Sequence, residues 1–162
     1  MRFKSILGVA LAAIGAGALA PAATAQDHRH AMTGSTAAPA DSRQLVTFPD
    51  PMRLHTLTSM RDHLFALQEI SVALSQSAFD RAASIAEQRL GMSSLETHGA
   101  AHLAPFMPQG MQELGTQMHR AASRFAVEAQ TASASNDVRP ALAALGNVMQ
   151  QCVACHAAYR LH

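Results

Sequence analysis

Cys152-Val153-Ala154-Cys155-His156-Ala157-Ala158-Tyr159-Arg160-Leu161-His162 is the stretch on which the reading of this chain turns. Cys-x-x-Cys-His is the attachment signature of a c-type haem, in which two thiols add across the haem vinyl groups and the adjacent histidine ligates the iron. On a helix, residues three and four apart share a face, so Cys152, Cys155 and His156 can be presented from a single turn. These are the only two cysteines in the chain. A disulfide across three residues of one helix has poor geometry. A zinc site lacks a second cysteine pair, and no strand pattern supports a thioredoxin-like redox pair.

Working outward, the opposite end of the chain carries Arg2 and Lys4, an apolar run from Ile6 to Ala20, and the small-residue site Ala23-Thr24-Ala25. That order is expected of a secretory signal peptide over residues 1–25. Export to the periplasm agrees with a haem attached outside the cytoplasm. The mature chain of 137 residues keeps ten arginines and no lysine against eleven acidic residues. Its net charge near −1 gives no basic patch for nucleic acid, and no other segment is apolar enough to span a membrane. A redox partner protein must therefore dock on arginines or carboxylates rather than on a lysine ring.

Residues 26–47, with Gly34, Ser35, Thr36 and Pro39, read as a flexible leader. Cleavage after Ala25 would expose Gln26-Asp27-His28. There a free amine, two backbone amides and an imidazole can form a square-planar site for Cu(II) or Ni(II).

From 48 to 162 the pattern is that of one helical domain. Asp50 is expected as an N-cap and Pro51 at the first helical position. Leu57, Met60, Leu64, Leu67, Ser71 and Leu74 make an inward stripe. A second helix is expected from Phe79 to Leu90, stopped by Gly91, and residues 91–107 should be irregular. A third helix turns Met111, Leu114, Met118, Ala121, Phe125 and Ala132 inward. Asn136-Asp137 caps a fourth, whose stripe is Val138, Leu142, Leu145, Met149, Cys152, His156 and Tyr159. Four amphipathic helices with mostly short connections predict an all-α, antiparallel four-helix bundle with one covalent haem c near its C-terminal end. Such a chain buries roughly two-thirds of its surface, enough for one core.

The ending Cys152-x-x-Cys155-His156-x-x-Tyr159-Arg160, with Arg53-Leu54-His55-Thr56-Leu57 and then Arg61-Asp62-His63-Leu64-Phe65-Ala66-Leu67 on the first expected helix, resembles the cytochrome c′ family, which includes the cytochrome c556 type. The resemblance implies an exported four-helix bundle with His156 as proximal ligand. It also implies that Arg160 tunes the proximal side and that Arg53 opens the family's Arg-x-x-x-(distal residue) pattern. Leu57 would then lie over the distal face of a five-coordinate iron that admits nitric oxide or carbon monoxide. Relatives often dimerise through the first two helices, where Phe65 and Phe79 could serve.

Two alternatives remain open in the residues. Met60, three after Leu57, can act as a sixth ligand and make the protein a low-spin electron carrier. The run His98, His102, Met107, Met111, Met118, His119 is rich in soft ligands, and suits a His/Met metal-binding protein whose haem is structural. His55 and His63 fall outside the expected stripe, and Tyr159 is expected to pack on the haem. No nucleophile–base pair or paired carboxylates suggest enzymatic turnover.

Overall fold

The computed structural model describes residues 40–162. The expected signal peptide, the Gln26-Asp27-His28 site and the first part of the expected leader lie outside the described residues. The described residues are all-α apart from two three-residue strands. β1 is Gln44–Val46, α1 Asp50–Ser75, α2 Phe79–Arg89, α3 Ala100–Leu103, α4 Gln109–Ser135, α5 Arg139–Ala158 and β2 Tyr159–Leu161. Single 3-10 turns at Met92–Ser94 and Ala104–Phe106 interrupt the α2–α4 connection.

Local chemistry explains most of the boundaries. Pro49 is extended before α1, and Asp50 already belongs to the helix without a side-chain cap bond. Asp50 is thus not the N-cap; it acts as an acidic first-turn residue at the positive end of the helix dipole. α2 ends at Arg89, one residue before the expected Leu90. Asn136, at φ 56°, closes α4 in the left-handed conformation that asparagine tolerates, and its N–H donates to the Ala132 carbonyl at 2.8 Å. Asp137 then accepts the Arg139 backbone N–H at 3.0 Å and starts α5.

α1 packs on α2, α2 on α4 and α4 on α5, whereas α1 and α5 make no comparable contact. The shared core is dominated by alanine. Ala66 and Ala73 of α1, Ala82 and Ala86 of α2, and Ala122 and Ala129 of α4 bring the backbones close, with Phe125 and Ile70 as the large fillers. The expected stripe of α4 holds at Met111, Met118, Ala121, Phe125 and Ala132, whereas on α1 and α5 most buried positions run one residue off the expected ones. On α1 the buried positions are Thr56, His63, Ala66, Ile70, Ala73 and Leu74, while Leu64 is 70% exposed. On α5 they are Ala141, Leu145 and Val148, while Leu142 and Met149 are exposed. Small alanines face the neighbouring helices, and Met60, Leu64, Leu142 and Met149 of the expected stripes are displaced to the flanks.

A second, smaller cluster holds one end. Val46, Phe48 and Met111 are buried there, with Tyr159, Leu161 and Cys155 packed against them. β1 and β2 pair in parallel, Gln44 with Tyr159, Leu45 with Arg160 and Val46 with Leu161. This corrects two expectations. Residues 44–46 are tied down rather than part of a flexible leader, because Val46 and Phe48 supply apolar anchors. Tyr159 and Arg160 are not on the next turn of α5, because the helix stops at Ala158 and the chain becomes extended.

Phe125 is fully buried and Phe65 is 66% exposed. Urea unfolding is expected to show Phe125→Ala costing about 3–5 kcal/mol and Phe65→Ala changing stability by about 0.5 kcal/mol or less. Equal losses would contradict the α1 register.

Candidate functional site

Because α1 and α5 are held apart, a groove remains between them, closed on its third side by α4. Its volume is about 310 Å³. α5 contributes Gln151, Cys152, Cys155 and His156; α1 contributes Met60, His63, Leu64 and Leu67; α4 contributes Leu114, Gly115 and Met118. The helical repeat explains why the motif faces this space. Leu145 and Val148 bind α5 to the core, and Cys152 continues that line at the step of four, with Cys155 three beyond. His156 lies one position round, exposed at the mouth.

Both thiols are free and half-buried. Burial pushes the Cys152 thiol up, and burial together with the neighbouring Cys152 does the same for Cys155. Neither is a reactive thiolate, so the pair lacks the activation a disulfide-exchange catalyst needs. The His156 carbonyl accepts from the Arg43 guanidinium at 3.3 Å. Arg160 approaches the Asp41 carboxylate at 3.5 Å, and Asp41 is held down to about 2 chiefly by its hydrogen bonds from Arg43. The segment just before β1 therefore clamps the end of α5 and the strand that follows it.

Three features bear on whether the groove suits a large planar group. The walls are apolar, yet Leu64 and Met60 stand 70% and 40% exposed within them. A Cβ added at Gly115, on the α4 side, would meet nothing within 4 Å, so the packing of the chain does not require a glycine there. The Nε atoms of Arg53 and Arg160 are buried and have no hydrogen-bond acceptor among the described residues. Arg53 stands two turns before Met60 on the same face of α1, and its nearest carboxylate, Asp50, is 3.7 Å away. An apolar group carrying carboxylates, bound by two thioethers and one imidazole, matches this donor set. Leu57 is half-buried and lines neither this groove nor the cavity beside it. Met60 and His63 line both.

That second cavity, of about 340 Å³, lies between α1, the α2–α4 connection and α4, and adjoins the groove through Met60, His63, Gly115 and Met118. His63 comes from α1, His98 from the connection and His119 from α4. Their ring centroids are 4.6 Å (His63–His98), 5.4 Å (His98–His119) and 6.3 Å (His63–His119) apart. Gly99, at φ 63°, lets the connection turn so that His98 reaches α1, where the His55 ring donates to the His98 carbonyl at 3.1 Å. Arg89 fixes α2 against α1 by pairing with Asp62 and Glu69, beside His63.

Burial is the main cause that lowers all three imidazoles. It brings His63, with help from His98 and His119, to about 4, while backbone acceptors partly offset it at His119. The sequence reading placed His63 outside the core, because an apolar stripe counts histidine as polar. The seven-residue spacing Thr56–His63–Ile70 was the available signal. Of the soft-ligand run, His98, His119, Met107, Met111 and Met118 line the cavity, while His102 is exposed and does not. Among the described residues, no group of three or more His, Cys, Asp or Glu is arranged to hold a metal ion, and no helix is long and apolar enough to cross a membrane.

Compared with protein-family models, curated proteins and solved structures, the chain finds no match.

Unfolded, His63 titrates near 6.5; folded, near about 4. Between those values the unfolded state binds the extra proton. Stability is therefore fully present above pH 6.5 and falls as pH drops toward 4, by up to about 3 kcal/mol for this one group. His63→Leu is expected to flatten that slope in urea titrations at a series of pH values. An unchanged slope would assign the acid sensitivity to other groups.

Proposed function

We propose that this chain is an exported c-type cytochrome of the cytochrome c′-like class, a periplasmic electron carrier. Cys152 and Cys155 hold one haem c through thioether bonds and His156 is its proximal ligand. The observation that carries this reading is that the chain's two thiols and the adjacent imidazole line an apolar groove between two helices that do not pack on each other. In this reading α1, α2, α4 and α5 form an antiparallel four-helix bundle whose open α1–α5 edge is filled by the porphyrin. When bound, the haem supplies a one-electron couple and an iron that accepts axial ligands.

The residues of the chain divide the remaining work. Leu64, Leu67 and Leu114, which line the groove, would exclude water from a porphyrin bound there, and covering the exposed Leu64 would contribute apolar burial worth about 25 cal/mol per Å². Arg53 and Arg160, whose Nε atoms lack acceptors, are suited to receive the propionates. Val153 and Met149, exposed beside the motif, would offer a redox partner protein an apolar contact next to the attachment cysteines.

The distal side favours the six-coordinate alternative. Leu57 lies outside the groove lining and Met60 within it, so Met60 is proposed as the sixth ligand in place of the open, gas-admitting site that Leu57 would give. The absorption spectrum of the haem-loaded protein tests this. A sharp low-spin α band unmoved by carbon monoxide is expected, with Met60→Ala converting it to a high-spin form that binds carbon monoxide. A wild-type spectrum that is already high-spin and shifts with carbon monoxide would overturn the Met60 assignment and restore a vacant distal site.

A further inference from the structure

The cluster of His63, His98 and His119 belongs to no step of the proposed electron transfer, and its geometry is unusual for simple packing. The only polar contact His63 makes among the described residues is between its Nε2 and the Nε2 of His98, at 3.4 Å. As a hydrogen bond that is long and weak. As the edge between two ligands of one metal ion it is the right length, since metal–nitrogen bonds of about 2.0–2.1 Å at a tetrahedral angle separate the nitrogens by about 3.4 Å.

The Nδ1 sides of His119 and His98 face outer acceptors, as the second ring nitrogen of a ligand histidine usually does. His119 Nδ1 donates to the Leu90 carbonyl at 2.7 Å. The Ser94 hydroxyl, buried, donates to the Gly91 carbonyl at 2.7 Å and so presents its lone pairs to His98 Nδ1, 3.4 Å away. At His119 the short contact places the proton on Nδ1; at His98 the longer one favours the same tautomer, which frees its Nε2 lone pair, and His63 Nδ1 has no partner among the described residues. No triad of nitrogen or carboxylate ligands is assembled, which argues against a zinc site of the usual kind. The same cavity wall instead carries thioethers, with Met118 on α4 next to His119 and buried. Two imidazoles and a thioether form a soft, low-coordinate set, which selects Cu(I) over Zn(II).

We propose that the cavity beside the haem groove is a copper(I) site in which His63 Nε2 and His98 Nε2 are the nitrogen ligands and the Met118 sulfur is the third, with His119 packing against His98 as a positioning residue. The site shares its His63 and Met118 wall with the groove, so a bound cation lies next to the proposed haem while using different ligands from it.

The test is anaerobic titration of the full, haem-loaded chain with Cu(I) against a chromophoric Cu(I) chelator, with haem absorbance recorded on every sample so that loss of haem is told apart from loss of copper. One equivalent is expected to bind, with His63→Gln and His98→Gln each weakening it at least tenfold and excess Zn(II) failing to displace it. Met118→Leu keeps the side-chain volume, and should remove sulfur from the copper X-ray absorption spectrum while nitrogen remains. Circular dichroism checks that each variant is helical. Absence of stoichiometric Cu(I) binding, a nitrogen-only spectrum in the wild type, or binding that survives His63→Gln with His98→Gln but is lost on His28→Ala with His30→Ala would overturn the assignment.

Discussion

The organisation of this protein depends on the separation of α1 and α5. α5 must satisfy two partners at once, the core of α4 through Leu145 and Val148 and the groove through Cys152 and Cys155. A helix can do both only if the two sets follow one line, and steps of three and four supply it. α1 has the matching problem. Ala66, Ile70 and Ala73 bind it to α2, while Met60, Leu64 and Leu67 turn toward the open side. Apolar side chains left facing water in such a row invite a partner, and the proposed porphyrin, held by the opposite helix, would meet that need without bringing the two backbones together.

The small cluster at the end of the molecule keeps the motif in place. Once α5 stops at Ala158, the last residues would be free but for β1, Phe48 and the Arg43–Asp41–Arg160 group. The connection that expectation left irregular has a comparable role on the other side. Gly99, Ser94 and the two backbone carbonyls after α2 orient His98 and His119 toward α1 and shape the second cavity. Irregular backbone thus lines the recesses, and regular helices carry the side chains that face them.

Much of this was legible in the residues. The all-α class, the extents of the long helices to within a few residues, and the break at Asn136-Asp137 follow from periodicity and turn chemistry, although Asn136 closes α4 rather than capping the helix that follows. The facing of α1 and α5 did not, because stripes were traced through leucine and methionine whereas the helix contacts are made by alanine, which carries little weight in a hydrophobic pattern yet packs helices closest. Leu64 and His63 exchanged roles for that reason. β1 and β2 are too short for any alternation to show. Leu57 was assigned from a resemblance; it shares the helical face of Met60, Leu64 and Leu67 but stands about one turn before Met60, outside the stretch of α1 that lines the groove. The cysteine motif itself needed no structure to be read. The structure adds the wall opposite and the two arginines, Arg53 and Arg160, whose buried Nε atoms lack a hydrogen-bond acceptor among the described residues.

The central claim is a covalent haem on Cys152 and Cys155, and the intact mass of the purified, denatured protein after expression with export and haem attachment tests it most directly. The account predicts a chain cleaved after Ala25 that carries the mass of one haem, which resists acid extraction and is lost in the variant with both cysteines changed to alanine. A bare polypeptide mass, or a haem removed by acid from the wild-type chain, would contradict it.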